Sequence, residues 1–328
     1  MIALDPTALF PFAISLDALT AVDFWMGAGI LAGTYAIFTL GLQLNVGFTG
    51  IINFGQAGFM ALGAYTMGLL VVEAGWSMWA AFPAAIALTM LVGVLIGLPS
   101  LRLRADYFAI VTLAFAEIIR LIAQNWREVT GGNQGLIGFD NDWVTFTGGA
   151  LEWLEPIGLG DEFLFPLLIV TWLTFIVCAA LLIGLQRTPW GRVLRAIRED
   201  EDAARALGKN ALAYRLQSLA IAAALGAIAG FFLALNLAFV QPNEFEPIFT
   251  FIGFVILILG GLGSYPGVAA GAILLWVLLE ATRFLDLPLA AEKVAALRFL
   301  IVGIALILLM VFRPQGMFGK RQEMVLGD

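Results

Sequence analysis

The chain has no histidine and a single cysteine among its 328 residues, and only 12% of them are charged. Without histidine, a Ser-His-Asp triad and any His-ligated zinc or haem site are excluded. One cysteine excludes an intrachain disulfide and a cysteine cluster. Cys178 lies in the apolar run LTFIVCAALLIGL, where it reads as a packing residue. Charge this sparse, against roughly 25% in an ordinary soluble domain, cannot wet the surface of a soluble globule. A disordered chain has the opposite composition. The net charge is −7, from 17 Lys and Arg against 24 Asp and Glu, which argues against a nucleic-acid partner. No G-x-x-x-x-G-K-[ST] loop is present, so the chain does not cradle ATP in that manner.

What fills the space is apolar. The AVILMFWYC set makes up 61% of the residues, with 36 Gly and 26 Phe, and mean hydropathy is +0.96. This is the composition of an all-α, polytopic transmembrane bundle, expected as a single transmembrane domain over 1–328. A span needs about 20 mostly apolar residues. About nine such windows are expected: 24–45, 51–72, 77–98, 106–124, 163–185, 216–240, 248–263, 267–285 and 294–312. The second and seventh are interrupted by glycine. The N-terminus lacks a basic residue ahead of its apolar stretch and is not a standard signal peptide. Residues 8–19 are expected to form a short interfacial helix.

Charge then sets sidedness. The connection 186–215 carries Arg187, Arg192, Arg195, Arg198, Arg205, Lys209 and Arg215, so the positive-inside rule makes it cytoplasmic. Threading outward places Arg102, Arg104, Arg313, Lys320 and Arg321 inside. The same threading places Asp5, Asp17 and Asp23, the acidic loop 125–162, Glu244, Glu246, Asp286 and Glu292 outside. An odd number of spans, with the N-terminus outside and the C-terminus cytoplasmic, satisfies every loop.

Residues 188–210 (TPWGRVLRAIREDEDAARALGKN) are the most informative segment. Thr188 is a candidate N-cap with Pro189 at the first helical position, and Gly208 is a candidate stop. Arg195–Glu199, Arg198–Asp202 and Glu201–Arg205 are spaced i,i+4 as opposite-charge pairs, above an apolar stripe of Val193, Leu194, Ile197, Ala204 and Leu207. A helix lying on lipid carries a mainly basic polar face. Glu199, Asp200, Glu201 and Asp202 in succession instead suit docking onto another protein.

That stretch, RAIREDEDAARALGKN (195–210), resembles the cytoplasmic coupling segment of permeases in branched-chain amino acid ABC importers, the LivH/LivM family. LQLNVGFTGIINFGQAGFMALGAYT (42–66), LPSLRLRADYFAIVTLAFAEIIRL (98–121), TGGNQGL (130–136) and LGGLGSYPGVAAGA (259–272) resemble further signatures of that family in the same order. The resemblance covers about residues 25–318, and its central block favours the LivM-like subunit. Gln56 stands where many members have His. The resemblance implies a pathway for branched-chain or hydrophobic amino acids. Urea, short amides or another small polar solute are the alternative within the family. It also implies two ATP-binding subunits, a second LivH-like permease and a periplasmic solute-binding protein. No cofactor is then expected on this chain, with ATP and Mg on the partner subunits. Arg192, Arg195, Arg198, Glu199, Asp200, Glu201, Asp202, Arg205 and Gly208 are the expected docking residues for an ATP-binding subunit. The implied location is a bacterial inner membrane.

Glycine-rich membrane segments pack closely or break where backbone lines a cavity. Between 41 and 68 the glycines alternate with Gln43, Asn45, Thr49, Asn53 and Gln56. Backbone groups beside neutral amides suit a zwitterion, and the same amides suit bonding between helices. Asn45, Asn53 and Gln56 are the candidate pathway residues, with Asn236 a fourth. Glu117 and Arg120, at i,i+3, read as a local structural pair, and Glu280 with Arg283 has the same spacing. Trp126, Trp143 and Trp153 can anchor the outer loop at the interface, and its acids can meet a binding protein. An ion-coupled transporter needs membrane-embedded acids free for ions, yet Glu117 and Glu280 each sit beside an arginine. A membrane enzyme has little chemistry left to use.

Overall fold

The computed structural model describes residues 22–155, 162–281, 300, 303, 304, 307 and 316–319. The expected helix at 8–19, most of the expected span 294–312, Arg283, Asp286, Glu292, Arg313, Lys320 and Arg321 lie outside the described residues. Helix α1 (Val22–Leu42) runs into a π-helical turn (Gln43–Thr49) and is followed by α2 (Gln56–Val72), α3 (Met78–Ser100) and α4 (Ala105–Asn125). Short α5 (Arg127–Thr130) and α6 (Asn141–Leu154) occupy the loop region. Next come α7 (Phe165–Arg187), α8 (Pro189–Glu199), α9 (Glu201–Ala206), α10 (Ala211–Leu237), α11 (Ile248–Gly260) and α12 (Tyr265–Ala281). Among the described residues there is no strand, and Leu136 and Val240 form an isolated antiparallel bridge.

Four described helices are long and apolar enough to cross a membrane, and the pair α11–α12 makes a fifth if counted as one bent span. The pair bends by 118° at its break. Helix α11 has 13 residues and so reaches roughly 20 Å at 1.5 Å per residue, short of a hydrocarbon core about 30 Å thick. The expected span 248–263 is therefore not a full crossing by itself: Gly261 and Gly263, both at positive φ, end it early. Helix α4 has the expected position but carries Asp106, Glu117 and Arg120 and is not one of the four.

Burial separates inner from outer helices. The spans over Phe24–Thr49 and Ala211–Leu237 are 78% and 83% buried, against 28% for Met78–Ser100 and 33% for Phe165–Arg187. Small residues explain the centre. A Cβ on Gly63 would collide with Ala227, and one on Gly230 would run into the Met60 carbonyl. Helices α2 and α10 thus touch backbone to backbone, as bundles held by close packing in lipid require. Helix α7 packs on α1 through Trp172, whose indole donates to the Gly29 carbonyl at 3.0 Å. Leu173, Ile176 and Leu181 of the same helix are exposed, while Cys178 is buried, as expected of a packing residue.

The TGGNQGL segment is a folded clasp. Gly131, Gly132 and Gly135 all have positive φ, a region that L side chains rarely adopt. Thr130 Oγ1 donates to the Ala123 carbonyl at 2.5 Å, and Leu136 and Val240 exchange backbone hydrogen bonds of 2.9 and 3.0 Å. The loop is thereby tied to the end of α10. Asp142 accepts from the Met78 N–H at 2.7 Å, capping α3, so one of the loop acids has a structural task. Trp143 is buried while Trp126 is 55% exposed; the Trp153 side chain lies outside the described residues. A Cβ on Gly131 would strike the Gly135 carbonyl. Gly131→Ala is therefore expected to cost about 1–3 kcal/mol through backbone strain. Gly149→Ala, at an open helical position, is expected to be neutral. Thermal unfolding of the two purified variants in detergent checks the contrast.

Candidate functional site

Two interruptions of helix face each other. The first follows α1, where the π-helical turn ends at Gly50 with φ 73°, its N–H bonded to the Asn45 carbonyl. Ile51 N–H donates to the same carbonyl at 2.9 Å. Residues 50–55 are non-helical before α2 begins, and a Cβ on Gly55 would sit 2.8 Å from the Thr112 carbonyl of α4. Glycine is needed there for close approach. The second interruption is the turn between α11 and α12. With its amide oxygen facing that turn, Gln43 accepts from the Gly263 N–H and from the Ser264 N–H at 3.0 Å. One side chain thus satisfies donors exposed by the second break from a position inside the first.

Three of the amides expected along the pathway, Asn45, Asn53 and Gln56, are fully buried and meet at this junction. Asn53 Oδ1 accepts from Gly55 N–H at 2.8 Å, and its Nδ2 donates to Gln56 Oε1 at 3.2 Å. Gln56 Nε2 donates to the Ala222 carbonyl of α10 at 2.9 Å and to Phe38 of α1 at 3.4 Å. Asn45 Oδ1 accepts from Ser218 Oγ at 3.0 Å, Ser218 and Thr49 hydroxyls lie 2.7 Å apart, and Asn45 Nδ2 is buried with no partner. Hydroxyls from two further helices complete the set. Thr112 accepts from Phe54 N–H and Thr250 from Ala57 N–H, both at 3.0 Å. Asn236 is half-buried in the last turn of α10, about 20 Å along the axis from Ala222 by helical rise, and is not brought to the junction.

The segment 188–210 is helical but cracked, which corrects the expectation of one continuous helix. Asp200 has φ −153° and its side chain accepts from Ala203 N–H at 2.9 Å, capping α9. An N-cap aspartate satisfies donors that an uninterrupted helix would leave to its preceding turn. The break resets the faces, and the i,i+4 pairs do not all form. Glu201 and Arg205 lie 3.7 Å apart, while Glu201 makes its shorter contact, 2.7 Å, to Arg215 of α10. Thr188 occupies the N-cap position but makes no side-chain cap bond, and its hydroxyl donates back to Leu185. Gly208 has φ 76° and ends the segment as expected. Arg192, Arg195, Glu199, Asp200, Asp202, Arg205 and Gly208 are exposed. Leu194, Ile197 and Ala204 are buried, but Leu207 of the expected stripe is 80% exposed.

Arg198 departs from the docking pattern. It turns inward, and its Nη1 donates to the Gly47 carbonyl in the π-helical turn. Gly50 lies against its stem, where a Cβ would sit 3.2 Å from Arg198 Cγ. The exposed segment is thus joined directly to the first helix break. Elsewhere, Glu117 and Arg120 form the expected local pair with contacts of 2.5 and 2.9 Å. Glu280 is buried, and its expected partner Arg283 lies outside the described residues.

Comparison with known proteins places this geometry. The family model described as "Branched-chain amino acid transport system / permease component" matches residues 27–310. The chain belongs to that permease family. It is 35% identical over 94% of its length, and 71% of the relative's, to the high-affinity branched-chain amino acid transport system permease protein LivM of Salmonella typhimurium. It is 28% identical to the probable LivM of Methanocaldococcus jannaschii, covering 94% and 95% of the two chains. It is 26% identical to LivH of Escherichia coli, covering 88% and 92%. No solved structure matches significantly. The permease is thus a membrane transport component. Sequence reasoning missed the inward turn of Arg198, although the signal was present. At 100° per residue, Arg198 falls inside the arc defined by buried Gly191, Leu194 and Ile197. Thr112, Ser218 and Thr250 were also missed. Single hydroxyls in apolar helices have many local uses, and only the fold brings these three together.

Proposed function

We propose that this permease is the LivM-like half of the membrane channel of an ATP-driven importer. Its partners are a LivH-like permease, two ATP-binding subunits that hold ATP and Mg, and a periplasmic solute-binding protein. Its cargo is a branched-chain or hydrophobic amino acid, and its place is a bacterial inner membrane, crossed about nine times with the C-terminus cytoplasmic. The observation that carries the reading is the two-sided segment α8–α9. Outward it presents Glu199, Asp202 and the exposed Leu207, an acidic surface with an apolar knob of the kind that seats in a partner's groove. Inward it holds the π-helical turn through Arg198. Closure of the ATP-binding subunits pulls on the outward face, and Arg198 passes the displacement to the junction. Asn45, Asn53 and Gln56, each closed off by protein in this state, line the route once the junction opens. Asn236 lies further along it.

Glu199→Lys with Asp202→Lys tests the docking face. Neither acid makes a charge pair among the described residues, so folding is expected to survive. Reversed charge in a complementary interface costs several kcal/mol, so copurification of the ATP-binding subunits should be lost. Full copurification with wild-type transport-linked ATPase activity would refute the role. Sidedness has its own check: a cysteine at position 202 in a Cys178→Ala background should resist impermeant external reagents in right-side-out vesicles. Ready labelling would reverse the assigned topology.

A further inference from the structure

Beneath the start of α4, the turn Leu101–Arg104, the non-helical stretch after Gly50 and the coupling segment enclose a cleft. It has two adjoining compartments, of about 280 Å³ and 550 Å³, that share Leu101, Leu103, Arg104, Glu201 and Arg215 in their walls, and the larger adds Arg102 and Arg205. The smaller compartment adds Ile51 and Phe108 as an apolar floor. Its chemistry is mixed in a particular way. Arg104 is exposed and pairs with no acid among the described residues. Arg215 gives one nitrogen to Glu201 at 2.7 Å and keeps about a fifth of its side chain exposed, and it lines both compartments. The N-terminus of α4 opens at the same place, with no side-chain cap, and its free N–H groups favour an anion. Glu201 is the one acid among these wall residues, and it is shared with Arg215 at 2.7 Å and Arg205 at 3.7 Å.

We propose that this cleft is a binding site for a zwitterionic amino acid with an aliphatic side chain. The carboxylate is received by Arg104 and Arg215, the ammonium by Glu201, and the side chain by Ile51, Leu103 and Phe108. Pockets for drug-sized ligands typically measure about 300–1,000 Å³; the smaller compartment, about 280 Å³, lies just below that range, as suits a smaller molecule. The assignment rests on the amino-acid cargo and cytoplasmic placement proposed above, and it adds a second, regulatory site. A ligand there bridges α4 to α9 and holds the coupling segment at rest. Product accumulating on that side therefore slows its own import.

The test uses the assembled importer in proteoliposomes with the binding protein outside and ATP inside. Leucine preloaded in the lumen should lower the initial rate of leucine uptake. 4-Methylpentanoate and isoamylamine, which are leucine without its ammonium and without its carboxylate respectively, should be about tenfold weaker or worse, as expected for loss of a hydrogen bond to a charged group. Arg104→Gln and Leu103→Glu should abolish the inhibition while uptake into empty vesicles persists. Equilibrium binding of labelled leucine to the assembled importer, without binding protein, should weaken about tenfold in Arg104→Gln. Unchanged binding in that variant, or inhibition that survives both substitutions, overturns the site. So does loss of the ATP-binding subunits from Arg104→Gln, which would make the cleft a protein seat. An importer that takes up no leucine overturns the cargo reading instead, and the binding measurement then decides the site by itself.

Discussion

Arg198→Met should leave the importer assembled and nearly silent. The methionine keeps an unbranched stem against Gly50 but cannot donate to the Gly47 carbonyl. A hydrogen bond from a charged donor is worth about 1.5–3 kcal/mol. If that contact carries the motion, uptake should fall by about one to two orders of magnitude. Copurification of the ATP-binding subunits should be unchanged, because the side chain points into the permease. ATP hydrolysis should continue without stimulation by loaded binding protein. Loss of the subunits would return Arg198 to the docking face, and normal uptake would remove it from the mechanism altogether. Read beside the Glu199 and Asp202 reversal, this variant separates seating of the motor from transmission of its stroke.

Gly230→Val should prevent the bundle from forming. The added atoms fall on the Met60 carbonyl and close to Ala64 N–H at 3.1 Å, where backbone cannot yield as a side-chain tip can. Overpacking of a core typically costs about 1–3 kcal/mol and sometimes more. Here relief requires moving two of the most buried helices apart. The expected outcome is protein that fails to accumulate in the membrane or elutes as aggregate in size-exclusion chromatography. Gly184→Val, on α7 with open space around it, should behave like the parent chain. Equal behaviour of the two variants would contradict the backbone contact between α2 and α10.

Much of this architecture was legible from residue patterns. Composition alone gives the helical bundle, and the glycines of 41–68 and 259–272 mark where helices stop. The alternation of amides with those glycines marks the junction, because a broken helix must find partners for its freed backbone groups. What was illegible depended on competition between local choices. In 188–210, pairing of charges at i,i+4 and capping by Asp200 use the same residues for different backbones, and the cap won. Each pair contributes only about 0.2–0.5 kcal/mol, while an N-cap is worth about 1 kcal/mol. Likewise the window 248–263 has the hydropathy of a crossing. Two glycines at positive φ shorten it, and no sliding average registers a dihedral angle. Gln43 is a third case. Its partners lie more than 200 residues away in sequence, and nothing in its own neighbourhood announces them.

The π-helical turn stores an odd residue. A helix with i→i+5 bonding accommodates one more residue per turn than its neighbours on either side. The end of the turn, Thr49 and Gly50, is therefore set about 100° around the α1 axis from where an uninterrupted α-helix would leave it. Deleting Val46, which makes none of the side-chain hydrogen bonds at the junction, is expected to restore the α-helical register and move Gly50 away from Arg198. The same arithmetic governs displacement. A π-helical turn advances by trading one carbonyl for the next, in increments of about 1.5 Å of rise. Under the coupling role proposed for Arg198, the expected displacement is therefore in whole residues, with Gln43 joining the two breaks.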